Sequence, residues 1–327
     1  MAQVNSDGVS PSNRSLTIVV LLGGWSSERE VSLASGRAVI NALRSRGHDV
    51  RELDPAGIDI LTYPWVGVDA AFIALHGSFG EDGTVQSLLH DLRIPYTGSD
   101  PAASQLAMNK SASKQRFIAN GLPTPAFQTL HVQEPDSSVT EKAAAFGFPL
   151  VVKPNAQGSS VGVAIVEKPD QLGDAVRTAF HHDPLALMEA YIPGRELTVA
   201  VLDRRPLPPI EIRPARSFYD YQAKYQDDAT SYIFDIDLPS AVVRGVESVA
   251  VSAAEALGCS GVARVDLRLD SEHRPWLLEV NTIPGFTDHS LVPKAAARAG
   301  ISFAELCEQL VTAKLQPPID SFGNRAA

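Results

Sequence analysis

At 327 residues the chain has room for two or three domains, and 44% hydrophobic with 20% charged residues is the composition of an ordinary globular protein. A formal net charge of −10 argues against non-specific nucleic-acid binding, while leaving room for a local basic site that takes an anion. No apolar run is long enough to span a bilayer, and two cysteines, Cys259 and Cys307, supply neither a disulfide framework nor a zinc site. These features predict a cytoplasmic protein without membrane insertion.

The first 15 residues, "MAQVNSDGVSPSNRS", lack the charged-then-apolar order of a signal peptide and read as a disordered tail. From residue 16 to about 100, strand and helix patterns alternate. "LTIVVLLGG" is a continuous apolar strand, and the helix after it carries Val31, Ala34, Ala38, Val39 and Leu43 on one side until Gly47 stops it. "DAAFIALHG" and "IPYTG" read as further strands, so this region predicts a parallel sheet with helices packed on it. A second segment, 101–195, opens with helices and includes the strand "FPLVVKP". The third, 196–327, is richer in strands and closes on the helix "FAELCEQLVTAKL".

Two loops sit where chemistry is expected. In "GGWSSERE", Ser27 and Glu30 have capping-box spacing, and Glu28 falls in the first helical turn at the carboxyl edge of the sheet. His76, at the end of "FIALHG", reaches the same edge; a structural and a substrate role are both open to it. In "KPNAQGSSVGVAIV", Lys153 ends a strand, and Gly158, Ser159, Ser160 and Gly162 allow backbone N–H groups to approach phosphate oxygens. The P-loop ending is missing, and a plain hairpin turn would fit the same residues. The stretch 216–234, "RSFYDYQAKYQDDATSYIF", follows neither period and reads as a surface loop or a lid over a water-sensitive site.

The hairpin "ARVDLRLD…RPWLLEVN" sets two acids on one face. If Asp270 faces Pro275 across the turn, Asp266 opposes Glu279 and Arg264 opposes Asn281. Val265, Leu267 and Leu269 then share the other face with Trp276, Leu278 and Val280. Opposed carboxylates repel unless a cation intervenes, and all-oxygen donors suit a hard divalent ion. A solvated face neutralised by Arg264 and Arg268 fits equally well at this point.

In order along the chain, "LLGGWSSEREVSLASG", "FIALHGSFGEDGTVQ", "IPYTGSDPAAS", "MNK", "VVKPNAQGSSVG", "FYDYQAKY", "ARVDLRLD" and "LLEVNTIPGFTDHSLVP" resemble the ATP-grasp ligases, and within them the D-alanine–D-alanine ligases. The resemblance spans about residues 16–315. Gln157 and Asn109 stand where relatives often have acids, and Ala190 where they often have lysine. The resemblance implies a mixed α/β and α+β fold of three domains, with ATP held between the sheets of the central and C-terminal domains. It implies contacts from Lys110, Lys153 and Lys224 to ATP phosphates or nearby groups, from Glu189 to adenine and from Glu196 to ribose. Asp266, Glu279 and Asn281 match a site for two Mg²⁺ ions, with Mn²⁺ as a substitute. Glu28, Val31 and His76 match the first D-alanine site; Arg264, Gly285, Ser290 and Leu291 match the second and the reacting carbonyl. Tyr225, Ser159 and Glu28 match a hydrogen-bonded link that fastens the lid. The implied activity is D-alanyl-D-alanine formation for peptidoglycan by a homodimer, with D-lactate as the alternative acceptor.

Overall fold

The computed structural model describes residues 14–213, 230–287 and 290–315. The N-terminal sheet is parallel, in the order β2 (Asp49–Leu53), β1 (Thr17–Leu21), β3 (Ala70–Ile73). The apolar run of β1 is explained by burial on both faces, as interior parallel strands require. Ile18 and Val20 enter one core with Val39, Ile40 and Leu43 of α1 (Arg29–Ser45), while Val19 and Leu21 enter another with Val85 and Leu89 of α2 (Thr84–Asp91).

Three expectations here are corrected. "IPYTG" contributes a single bridge, Ala71 to Tyr96, and the third strand is β2, whose charged residues and edge position hid it. The capping box does not form: the helix starts at Arg29, with Glu28 as N-cap and no side-chain cap. Arg29 instead donates to Gly24 O at 2.7 Å and pairs with Asp54 at 2.6 Å. The buried face of α1 is Ser32, Ser35, Gly36, Val39, Ile40, Ala42 and Leu43, and Ala34 is exposed. Small residues lie inward because Leu22 crosses the helix closely enough that a Cβ on Gly36 would meet Leu22 Cβ at 2.5 Å. The stop near Gly47 holds: its φ is +88°, and its N–H returns to Arg44 O.

Helices α3 (Pro101–Met108) and α4 (Lys110–Ala119) lead into a second sheet. Asp100 and Asn109 cap them through their side chains. The second sheet is antiparallel, in the order β4 (Phe127–His131), β7 (Leu185–Ala190), β5 (Leu150–Pro154), β6 (Ala164–Val166). One face packs against α5 (Asp136–Phe146) and α6 (Leu172–His182) through Leu150, Val152, Ala186 and Met188. Alternation then turns Val151, Lys153 and Glu189 to the opposite face.

The third sheet is also antiparallel. It comprises β8 (Arg195–Leu202), β9 (Arg205–Pro206), β10 (Ile210–Arg213), β11 (Ser231–Ile233), β12 (Val262–Leu269) and β13 (Pro275–Asn281), ordered β11-β10-β8-β12-β13 with β9 paired to β8. The segment read as a lid lies outside the described residues through 229, and part of its end forms β11. Helix α7 (Ser240–Ala256), with Ala107 of α3 and Phe117 of α4, covers one face over Val265, Leu267, Leu277 and Val280. Helices α8 (Leu291–Arg298) and α9 (Phe303–Leu315) carry the chain back onto the N-terminal sheet. The free faces of the second and third sheets line a common cleft.

Candidate active site

The hairpin register holds where it matters and fails near the turn. Arg264 pairs with Asn281, Val265 with Val280 and Asp266 with Glu279; then Leu267 pairs with Leu277 and Leu269 with Pro275. A bulge at Leu278 absorbs the extra residue. Leu277, rather than Leu278 or Trp276, joins Val280 in the core, and Leu278 turns into the cleft beside Glu279.

Each opposed acid has its own cation. Arg264 donates from Nε and Nη2 to Asp266, the latter at 2.8 Å, and Lys110 Nζ lies 3.1 Å from Glu279 Oε2. Asn281 Nδ2 and Thr198 Oγ1 also donate to Asp266. The donors Asp266, Glu279 and the Asn281 amide oxygen are all hard oxygens on one face, which fits Mg²⁺ completed by phosphate and water. Among the described residues, no cluster of three or more His, Cys, Asp or Glu side chains could hold a metal by itself.

The glycine-rich loop joins β5 to β6. Ser159 and Ser160 have φ of +51° and +57°, left-handed backbone that marks a tight turn in this loop. Lys110 Nζ donates to Gln157 O at 2.7 Å, fastening this loop to α4. Ser159 Oγ donates to Glu28 Oε1, so the glycine-rich loop and the start of α1 are in direct contact.

At the other side of Glu28, His76 Nδ1 lies 3.2 Å from Glu81 Oε1 and His76 Nε2 lies 3.4 Å from Ser35 Oγ. Burial holds the Glu81 carboxyl above its ordinary pKa, against the opposing effect of His76. A crevice here is lined by Glu81, Lys110, Gln157, Gly158, Glu279 and Asn281. Lys110, Gln157 and Glu279 also line the cleft between the sheets, so the two spaces share these three residues.

Within the cleft, Glu189 is buried, with Lys153 Nζ at 2.6 Å from one carboxylate oxygen and Lys114 Nζ at 2.9 Å from the other. Burial raises the Glu189 pKa, but the two ammonium groups outweigh it and hold the carboxyl below its ordinary range. Glu196, on β8, lies 3.2 Å from Arg268 on β12. Val31 is half-buried in the first turn of α1. Gly285 follows β13, where a Cβ would meet Ser290 Oγ at 2.9 Å; Ser290 is the N-cap of α8, and Leu291 is its first residue. Lys224 and Tyr225 lie outside the described residues.

The family described as D-ala D-ala ligase C-terminus matches residues 117–312, and D-ala D-ala ligase N-terminus matches residues 62–99. A D-alanine–D-alanine ligase of Bordetella avium (strain 197N) is 45% identical over 311 residues, covering 93% of this chain and 97% of that protein. The chain belongs to the D-alanine–D-alanine ligase family. Among solved structures of this family, the Bacillus anthracis D-alanine–D-alanine ligase superposes with a TM-score of 0.84 at 38% identity, covering 92% of this chain and 98% of that one. A Bacillus anthracis D-alanine–D-alanine ligase complexed with ATP gives 0.80 at 34% identity, with the same coverage of both chains. The α/β and α+β three-domain ATP-grasp fold expected from the sequence is therefore the fold of this family member. No helix among the described residues is long and apolar enough to cross a membrane.

Lys114, Glu81, Thr198 and the Arg268–Glu196 pair escaped the sequence reading. For Lys114 a signal existed: Lys110, Ser113, Lys114 and Phe117 are spaced i, i+3, i+4, i+7, the inward face of α4.

Proposed function

We propose that the chain joins two D-alanines to D-alanyl-D-alanine at the expense of ATP, supplying a building block of peptidoglycan. The observation that carries this reading is the junction at Lys110, Gln157 and Glu279. There a cleft between two sheets meets the crevice bordered by Glu81, close to His76, with acids for a divalent ion at the meeting point. ATP would lie between the sheets, with its phosphates toward this junction.

A carboxylate must be activated before an amine attacks it, because oxide is not a viable leaving group. A carboxylate oxygen of the first D-alanine attacks the γ-phosphorus, the bond to the ADP oxygen breaks, and an acyl phosphate forms. The second D-alanine, as free amine, attacks the acyl carbon and loses a proton; inorganic phosphate leaves and the peptide bond remains. Lys110 and Lys153 offset charge on the transferring group, with Lys224 assigned to the same task by resemblance. Arg264 and the Gly285 N–H stabilise the tetrahedral oxyanion. Glu28, Val31 and His76 hold the first D-alanine, and Ser290 with Leu291 hold the second. Glu189 takes the adenine edge and Glu196 the ribose. Asp266, Glu279 and Asn281 would hold Mg²⁺, two ions by family resemblance, which when bound offset phosphoryl charge.

Phosphate release with ATP, Mg²⁺ and D-alanine, with L-alanine as control, tests this reading. Release indifferent to D-alanine would overturn it. Chromatography of products formed with D-lactate present separates a dipeptide ligase from one that takes a hydroxy-acid acceptor. We further propose a homodimer in the cytoplasm; light scattering at micromolar protein near the 35.0 kDa monomer mass would count against the dimer.

A further inference from the structure

Lys114 is the one basic side chain with no exposed surface among the described residues; it does not itself line the cleft but stands behind Glu189, which does. Its Nζ is 2.9 Å from Glu189 Oε2 on β7 of the second sheet. It also donates to Thr124 Oγ1 at 2.7 Å and to Leu277 O at 3.4 Å, on β13 of the third sheet. Thr124 Oγ1 passes the contact on, donating to Leu277 O at 2.8 Å, while Leu277 N donates to Pro123 O at 2.9 Å. Leu277 borders the bulge on the terminal strand of its sheet, and its outward N–H and carbonyl are met by Pro123 and Thr124. The bulge in turn presents Leu278 to the cleft that Glu189 and Lys153 line from the facing sheet.

We propose that Lys114 is a nucleotide-positioning residue, tying Glu189 of one sheet to the Leu277–Leu278 bulge of the other and so setting the slot for the purine base. The inference rests on the ATP reading above and assigns a residue that acts behind the cleft, through Glu189 and Leu278.

Charge explains why a lysine stands there at all. An ammonium buried without partners is costly, and here a carboxylate, a hydroxyl and a carbonyl compensate it. With Lys114 present, one Glu189 carboxylate is shared between two ammonium groups. Lys153 therefore keeps positive charge in excess of its ion pair, available to a polyanionic ligand. With Lys114 neutral, Glu189 would neutralise Lys153 alone, and the carboxylate oxygen now held toward β13 would be free to rotate. Lys110 and Glu279, themselves 3.1 Å apart, add further charge at the nearby rim, and Glu196, Asp266 and Arg268 line the same cleft. A geometry that fixes a carboxylate at one end and an apolar side chain at the other suits a flat base bearing a hydrogen-bond donor.

The test uses full-length Lys114→Met and Thr124→Val, with folding checked by circular dichroism and thermal melts. Calorimetric ATP binding is measured first, then KM for ATP, KM for D-alanine and the ATP-to-GTP ratio of kcat/KM. Lys114→Met is expected to raise Kd and KM for ATP about tenfold and to lower the ATP-to-GTP ratio, with KM for D-alanine within about twofold of wild type. Thr124→Val is expected to shift the same nucleotide parameters in the same direction by a smaller factor, and it decides the matter if Lys114→Met does not fold. Unchanged ATP affinity and base preference in a folded variant would overturn the inference, as would parallel rises in both KM values. Wild type that binds no ATP would instead overturn the nucleotide reading on which it rests.

Discussion

Asp266 and Glu279 stand directly opposite each other across β12 and β13, each held by a different cation, Arg264 for the first and Lys110 for the second. The two acids are thus kept apart in charge as well as position, and a divalent ion between them would compete with an arginine and a lysine. Glu279→Gln keeps the shape and the fold but removes the charge a divalent ion requires. Turnover is expected to fall at least about a hundredfold, since a metal's charge stabilisation is worth several kcal/mol. Phosphate release measured against Mg²⁺ concentration checks this; near-normal rates at limiting Mg²⁺ would remove Glu279 from the metal site.

The Ser159–Glu28 hydrogen bond links the glycine-rich loop to the start of α1, the two segments proposed to hold phosphate and the first D-alanine. Ser159→Ala deletes one bond to a charged group, worth roughly 1.5–3 kcal/mol, or about ten- to a hundredfold in binding of D-alanine. Because the loop is outside the cores, the melting temperature should move little. A large drop in melting temperature with unaltered KM for D-alanine would make the contact structural only.

At Gly36 two effects oppose each other. Alanine is favoured over glycine within a helix by about 1 kcal/mol, but here its Cβ would meet Leu22 Cβ at 2.5 Å. Neither atom can rotate away, so overpacking, typically costing about 1–3 kcal/mol, wins. Gly36→Ala should melt a few degrees lower while remaining active when cool. A melting temperature equal to or above wild type would refute the tight crossing.

Burial pushes the Lys114 ammonium down to about 8, against the raising influence of Glu189. Below about pH 8 the group is protonated in both folded and unfolded chains, and the burial penalty is fully present. Between about 8 and the ordinary lysine value near 10.4, only the unfolded chain holds the proton, so this group's contribution to stability rises with pH. The total is on the order of 3 kcal/mol. Chemical denaturation of wild type and Lys114→Met across that range should give curves that diverge upward for wild type. Parallel curves would mean that Lys114 does not titrate there.

Much of the site was legible because strand periodicity is short-ranged. A turn after Asp270 and a period of two suffice to put Asp266 opposite Glu279 and Arg264 opposite Asn281. The continuous apolar run of β1 likewise predicted a strand of a parallel sheet, which the fold buries on both sides. The bulge was not legible: "WLL" is apolar in either register, so nothing in its hydropathy says which leucine turns to the cleft. Strand β2 escaped for a related reason, since only Val50 and Leu53 are buried and their spacing of three matches neither strand alternation nor the apolar run of a central strand.

By itself, then, the sequence determined the first apolar strand, the glycine-rich loop and the opposed acids of the hairpin, all of which depend on residues close together in the chain. The tertiary structure alone decided which charges are buried and against what. Ser27 and Glu30 have capping-box spacing, yet the helix start is held by Arg29 reaching Asp54, 25 residues away. Lys114 meets Thr124, Glu189 and Leu277, which are 10, 75 and 163 positions distant. A lysine on a helix is ordinarily a solvated charge; it can be buried only when the fold brings it enough compensating partners, and no local pattern records partners that far apart.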